Sequence, residues 1–212
     1  TSIIELADEL GYRDLPTTDA AELSQWMLRG ANRKNLTLYL ETFAHTVGVM
    51  QTEAALHRVA RECAEDLAAD GVVYAEIRFA PELHTEQGLS LDAVIEAVLA
   101  GFDAGSTSTD LTIRVICSAM RHQNNGLDVA QVAVRYRDHG VVAFDIAGPE
   151  DGFPPDDHLV AFQFCQRENF HITIHAGEAY GPRSIWKALQ FCGAERLGHG
   201  IRIMEDMGRD AD

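Results

Sequence analysis

The sequence has few of the features that mark several large classes of protein. Its four cysteines, Cys63, Cys117, Cys165 and Cys192, lie far apart without a C-x-x-C pair. We therefore expect reduced, mostly buried thiols and a cytoplasmic protein. No apolar run approaches the ~20 residues that span a bilayer, and no basic segment with an apolar one behind it opens the chain. The sequence predicts neither a membrane span nor a secretory signal.

Positive charge is also scarce. Lysine and arginine number 17 against 33 acidic residues, a formal net charge of −16 in 212 residues. Such a surface repels phosphate backbones, which argues against a nucleic-acid polymer as partner. G-x-G-x-x-G and Walker motifs are missing, which argues against the nucleotide-phosphate sites of open α/β sheets. A small ligand remains compatible, because one pocket can differ from the average charge.

What the sequence does have is a regular alternation of apolar strands and amphipathic helices. Helical patterns fill the first third, including a stretch from Leu36 to Val47 and the clearest helix, Thr52 to Ala69. Strands are then predicted at residues 72–79, 111–117, 141–146, 172–175 and 196–200. Helical patterns separate these strands, which predicts a parallel sheet covered by helices.

Reactive or unusual side chains stand at the ends of these strands. They are Arg78, residues 120–122 (Met-Arg-His), Asp145, His175 and His199. Chemistry gathered at the carboxyl ends of successive strands is typical of a (β/α)₈ barrel. We therefore predict an α/β fold, a (β/α)₈ TIM barrel, in a single domain over residues 1–212.

Two histidine motifs are the main candidates for chemistry. His175 and Glu178 place a possible metal ligand beside a carboxylate that can move protons, a pair suited to hydrolysis. By spacing alone, a locally bonded histidine and a solvated glutamate fit equally well. His199 stands between two glycines that let an imidazole approach a ligand closely, although a tight turn would have the same sequence.

Two weaker patterns allow a functional or a purely structural explanation. The backbone N–H of Gly148, after a predicted strand, can donate to a ring nitrogen or belong to an ordinary turn. Apolar side chains that recur at helical spacing usually pack in the protein core. The functional alternative for such a stripe is an apolar lid over a planar ligand. Its members are Leu36, Tyr39, Leu40 and Phe43.

Taken in order along the chain, these motifs resemble the adenosine deaminase family, and its actinobacterial type most. The resemblance rests on F-D-I-A-G at 144–148, H-A-G-E at 175–178 and L-G-H-G at 197–200. Residues 75–81 and 119–122 resemble that family's second and third strand ends. The resemblance implies a zinc-dependent (β/α)₈ enzyme that converts adenosine or 2′-deoxyadenosine to inosine or deoxyinosine plus ammonia.

The resemblance also implies roles for individual residues. His175 corresponds to the zinc ligand on the fifth strand, and Glu178 to the acid that protonates purine N1. His199 corresponds to the histidine that orients or deprotonates the attacking water, and Gly148 to the backbone donor to purine N3. The apolar wall around base and ribose corresponds to Met120, Leu36, Tyr39, Leu40 and Phe43.

Other family elements have no counterpart in this sequence. The first-strand H-x-H pair and the paired aspartates after the eighth strand are missing, so the chain corresponds to about strands two to six. It would carry one of the family's zinc ligands, whereas a catalytic zinc takes about three from the protein. We therefore expect these 212 residues alone to hold zinc poorly and to be inactive.

Three alternatives stay open at this stage. The first is a deaminase of adenine or of a modified adenosine such as aminodeoxyfutalosine. The second is a non-catalytic barrel that binds purine nucleosides without turnover. The third, an amidohydrolase acting on a cyclic amide, is weaker because no bridging lysine stands in a suitable strand context. The expected partner in the first two is a small purine compound.

Overall fold

A computed structural model of the chain describes residues 2–207, whose contacts form two compact units. The first unit comprises the described part of Thr1–Tyr74 together with Leu83–Thr112. The second comprises Ala75–Glu82 and the described part of Ile113–Asp212. The assignment of residues 1–212 to a single domain stays a prediction.

The first unit is helical. Its two longest helices begin at side-chain N-caps. Thr52 Oγ1 accepts a hydrogen bond from Ala55 N at 3.2 Å, and Ser90 Oγ accepts one from Ala93 N at 3.1 Å. Glycine at position 101 lets these two helices approach, since a Cβ there would lie 2.3 Å from a carbonyl oxygen of the other helix. The helices are α1 (Ser2–Leu10), α2 (Ala20–Ala31), α3 (Leu36–Leu40), α4 (Phe43–Gly48), α5 (Glu53–Ala69) and α6 (Leu91–Ser106).

The apolar spacing predicts one continuous helical stretch from Leu36 to Val47, and this prediction is wrong. The chain instead forms the two short helices α3 and α4, with Thr42 between them. Thr42 is buried, and a Cβ on Gly30 would lie 2.2 Å from its Cγ2 atom. The Thr42 hydroxyl also donates to the Tyr39 carbonyl oxygen at 2.7 Å. Close packing of this threonine on α2 thus accompanies the break, a tertiary effect that helical spacing does not contain.

The second unit holds a sheet that confirms the predicted strands. Apart from the first residue of β1 and of β2, its strands belong to this unit. Pairing from β2 through β5 is parallel, and the strand order is the chain order, β1-β2-β3-β4-β5. Doubly wound sheets reverse their order part-way, so this order fits the predicted barrel type. The strands are β1 (Tyr74–Phe79), β2 (Thr112–Met120), β3 (Val141–Ala147), β4 (His171–Ala176) and β5 (Arg196–His199).

Helices of the second unit connect β2 to β5 in turn and pack on the sheet. They are α7 (Gly126–Arg135), α8 (Leu159–Arg167) and α9 (Pro182–Gln190). Phe144 of β3 and Phe162 of α8 are both fully buried, with ring centroids 5.5 Å apart. Burial on both faces explains why the central strands are almost wholly apolar.

The structure also describes the state of the cysteines and the hydropathy of the helices. All four cysteines are free, and three of them are buried, while Cys63 is half-buried. Burial raises the pKa of Cys117, Cys165 and Cys192 to about 12, so these thiols stay protonated at neutral pH. Within residues 2–207 no helix has the length and hydropathy needed to cross a bilayer.

Candidate active site

Parallel pairing brings the candidate residues of the second unit to one edge of the sheet. His175 of β4 is in register with Gly198 of β5, and His199 is in register with Ala176. Met120, at the end of β2, is in register with Ala147, so Gly148 follows at the same edge. The carboxyl ends of four strands thus place these side chains where active sites of α/β barrels lie.

His175 is oriented by a buried carboxylate. Asp145 of β3 is fully buried, and its Oδ2 atom lies 2.8 Å from His175 Nδ1. The same carboxylate accepts the Ser118 hydroxyl at 2.8 Å and the backbone N–H of His175 at 3.1 Å. Because a carboxylate only accepts, this geometry assigns the proton to Nδ1 and leaves the lone pair on Nε2.

Arg78, from β1, adds a positive charge beside this pair. Its Nη1 atom lies 3.6 Å from Asp145 Oδ2, and 3.2 and 3.4 Å from the two ring nitrogens of His175. Gly198 provides the space, since a Cβ there would lie 2.8 Å from Nη1. The first glycine of L-G-H-G therefore makes room for a neighbouring side chain.

His199 and Glu178 lie on the open side of the cluster. The His175 and His199 rings have centroids 5.3 Å apart, and His199 Nε2 lies 3.5 Å from Glu178 Oε2. The His199 side chain is 38% exposed and that of Glu178 29%, so both can reach a ligand. His199 has a φ of +70°, an uncommon conformation for a non-glycine residue, and strained backbone of this kind tends to cluster at functional sites.

Gly148 and Met120 are close to each other at the same edge. Gly148 has a φ of +101°, and a Cβ there would lie 3.0 Å from the Met120 side chain. The backbone N–H of Met120 donates to the carboxylate of Glu82. The structure therefore brings together five predicted site residues: Met120, Gly148, His175, Glu178 and His199. Their individual roles stay predictions.

The predicted apolar wall belongs to the first unit. Tyr39 and Phe43 contact each other edge to face, with centroids 5.1 Å apart. Both line a groove of about 390 Å³ in that unit, whose other lining residues are Met27, Leu28, Ala31, Thr42 and Thr46. The contact of Leu36, Tyr39, Leu40 and Phe43 with a purine stays a prediction.

Gly177 of the H-A-G-E motif occupies a position that excludes a side chain. Its φ is +73°, and a Cβ there would lie 2.5 Å from the buried Ile185 side chain. We expect Gly177→Ala to lower the free energy of unfolding by about 1–3 kcal/mol more than Gly152→Ala. Gly152 is the matched control, because its φ is +82° but nothing lies within 4 Å of its Cβ position. Urea unfolding of both variants measures the difference, and equal losses would contradict it.

The sequence pattern assigns no role to Asp145 or Arg78, although both stand at strand ends. A signal is present for Asp145, a lone charge in the otherwise apolar strand Val141–Ala147. Such a residue must find a partner when buried. Nothing local marks His175 as that partner, because the two residues are thirty positions apart and meet only through strand pairing.

The donor chemistry fits one ligand of a zinc site. A histidine whose Nδ1–H donates to a carboxylate, with the lone pair on Nε2, is the usual form of a metal-ligating imidazole. Within residues 2–207, however, no group of three or more histidine, cysteine, aspartate or glutamate side chains is placed to hold a metal. The described residues thus fit part of a zinc site.

Comparison with known proteins identifies the family. Residues 1–209 match the family model described as adenosine deaminase. The chain belongs to the adenosine deaminase family. An adenosine deaminase of Mycolicibacterium gilvum is 56% identical over 217 residues, covering 100% of this chain and 60% of the relative. The chain thus spans about three fifths of the length of this curated relative.

Solved structures of purine deaminases confirm the fold. An adenine deaminase from Arthrobacter aurescens superposes with a TM-score of 0.84 at 27% identity, covering 97% of this chain and 62% of that one. An Arabidopsis N6-mAMP deaminase has a TM-score of 0.80 at 26% identity, covering 94% and 60%. The α/β barrel fold predicted from strand alternation together with the side chains at the strand ends is therefore confirmed, with this chain as a part of it.

Proposed function

We propose that the whole protein to which this chain belongs is a zinc-dependent adenosine deaminase, releasing inosine and ammonia. The observation that carries the proposal is the convergence of His175, Glu178 and His199 at one sheet edge. Hydrolysis at a purine ring would use a metal ligand, a proton donor and a group that acts on water close to one another, and the proximity of these three side chains supports the proposal.

Adenosine is favoured over the other purines by the identities. The relative at 56% identity is an adenosine deaminase, whereas the adenine and N6-mAMP deaminases are 26–27% identical. Intact His175, Glu178 and His199 also argue against a barrel that binds nucleosides without turnover. We propose a small purine nucleoside as the partner and the cytoplasm as the location.

Zinc, when bound, would supply a nucleophile at neutral pH, because coordination lowers the pKa of water towards ~7. His175 would hold the metal through Nε2, since Asp145 engages its other nitrogen. His199, 3.5 Å from Glu178, orients the attacking water or takes its proton. Glu178 donates a proton to purine N1, which lets C6 accept electron density from the nucleophile.

Binding of the purine rests on the remaining predicted residues. The Gly148 backbone N–H donates to purine N3, and its positive φ suits glycine at this turn. Met120 presents an apolar side chain next to it. The stripe of Leu36, Tyr39, Leu40 and Phe43 would cover the base and ribose.

A comparison of substrates tests the proposed function. We expect the full-length protein to convert adenosine with a higher kcat/KM than adenine, N6-methyl-AMP or aminodeoxyfutalosine. The change in ultraviolet absorbance of the purine ring measures each rate. Removal of metal with a chelator should abolish turnover, and zinc should restore it. A higher kcat/KM for another of these purines would change the proposed substrate but leave the proposed reaction, hydrolytic deamination, in place. Tight nucleoside binding without turnover, whatever the metal content, would support the non-catalytic alternative.

A further inference from the structure

Four successive backbone amides after β4 converge on one side chain outside the predicted site. Glu150 accepts hydrogen bonds from the backbone N–H groups of Gly177, Glu178, Ala179 and Tyr180, at 2.6, 3.0, 2.7 and 2.8 Å. The side chain is buried, at 5% exposure for the residue. A concave run of amides around an anion is a strong, directional arrangement, and here the anion belongs to the protein itself.

The carbonyl groups of the same loop are held from the other side. The backbone N–H of Arg202 donates to the Gly177 carbonyl at 3.0 Å, and its guanidinium donates to the Ala179 carbonyl. Arg202 follows β5 and comes from a different part of the chain. The loop that carries Glu178 is therefore held through its amides by Glu150 and through its carbonyls by Arg202.

Charge distribution agrees with an anionic Glu150. Burial alone would raise the pKa of Glu150, but the hydrogen bonds that its carboxylate accepts lower it below its ordinary value. The buried guanidinium of Arg121 lies nearby, donating to the Phe153 carbonyl at 2.7 Å and to the His175 carbonyl. Burial lowers the pKa of Arg121, and the negative charges of Glu150 and Asp145 oppose that shift.

We propose that Glu150 is a positioning residue that fixes the backbone of residues 177–180 and thereby directs Glu178 at the purine. The inference rests on the proposed function. The Glu150 carboxylate already accepts four backbone hydrogen bonds, so we do not assign it a proton transfer with the substrate. One of those four amides is the backbone N–H of Glu178, so this hydrogen bond fixes the backbone of Glu178 relative to Glu150.

Glu150→Gln in the full-length protein tests this role. Glutamine keeps the size and one acceptor oxygen, but turns an NH₂ group towards the amides. We expect kcat for adenosine to fall about 100-fold, the scale of a 1 Å misplacement, with a much smaller change in KM. Glu195→Gln is the control, because Glu195 is exposed, directly precedes β5 and pairs with His171 at 2.7 Å. It should keep the wild-type kcat.

A double variant separates positioning from a general structural effect. In a Glu178→Gln background, Glu150→Gln should lose most of its effect on kcat, since groups that act as a unit are not additive. Equal losses in both backgrounds would overturn the inference. Glu150→Asp keeps the charge on a shorter side chain, so we expect an intermediate kcat and a folded protein even where the glutamine variant does not fold.

Amide hydrogen exchange gives a readout that does not depend on turnover. We expect exchange at residues 177–180 to accelerate in Glu150→Asp and Glu150→Gln, and to be unchanged in Glu195→Gln. If the wild-type protein does not deaminate adenosine, the proposed function fails while exchange still tests the loop. Unchanged exchange in that loop, or full kcat in both Glu150 variants beside an active wild type, would overturn the inference.

Discussion

We expect Glu178→Gln to lower kcat for adenosine by about 10²–10⁴-fold, the usual contribution of a general acid. Glutamine has nearly the same shape, but it carries no proton that it can give to purine N1. Without that proton the ring accepts electron density poorly, and addition at C6 becomes slow. The Glu178 side chain is partly exposed and lies 3.5 Å from His199, so the substitution should leave the fold intact.

Steady-state kinetics and product binding distinguish this effect from general damage. The variant should bind inosine with nearly wild-type affinity and have an unchanged melting temperature. Glu168→Gln is a suitable control. Glu168 directly follows α8, and its side chain is 46% exposed and makes only a long ion pair of 3.9 Å with Arg137. A Glu178→Gln variant with kcat within threefold of wild type would show that another group protonates the ring.

The second large effect concerns the two histidines of one strand. We expect His175→Ala to lose zinc and to lower kcat/KM at least about 100-fold, since disturbing only the groups that orient a metal ligand already costs 10–100-fold. His171→Ala should keep both. His171 lies at the opposite end of β4, has a 70% exposed side chain and pairs with Glu195.

Metal analysis of the purified full-length variants measures this directly. The wild type and His171→Ala should contain about one zinc per chain, and His175→Ala much less, with no recovery of activity in added zinc. Zinc retained at the wild-type level in His175→Ala would remove this residue from the ligand set. A wild type free of zinc but active would reject the zinc proposal itself.

The strand pattern and its polar ends were predictable because both are local properties of the chain. An apolar β-branched run such as Val141–Ala147 predicts a buried strand, and parallel strands place their carboxyl ends at one edge. The positions of His175 and His199 at two such strand ends therefore predict that they lie close together. The strand register confirms this, with each histidine opposite the neighbouring strand's motif.

Other features depended on contacts between distant parts of the chain. The break between α3 and α4 accompanies Thr42 packing on Gly30, which overrides a regular apolar spacing. The role inferred for Glu150 had no signal at all in the sequence, where it is one acidic residue among many. It emerges only because four amides some thirty positions later close around it.

The sequence by itself therefore determined the type of fold and the edge of the sheet at which the candidate residues of the second unit lie. Periodicity and strand ends encode these, since they depend on neighbours along the chain. Only the tertiary structure decided how these residues are held: the tautomer of His175 by Asp145, the position of Arg78 over Gly198, and the loop of Glu178 by Glu150. Such hydrogen bonds form only when donor and acceptor atoms of neighbouring elements are placed to within a few tenths of an ångström. The spacing of residues along a sequence does not specify positions that finely.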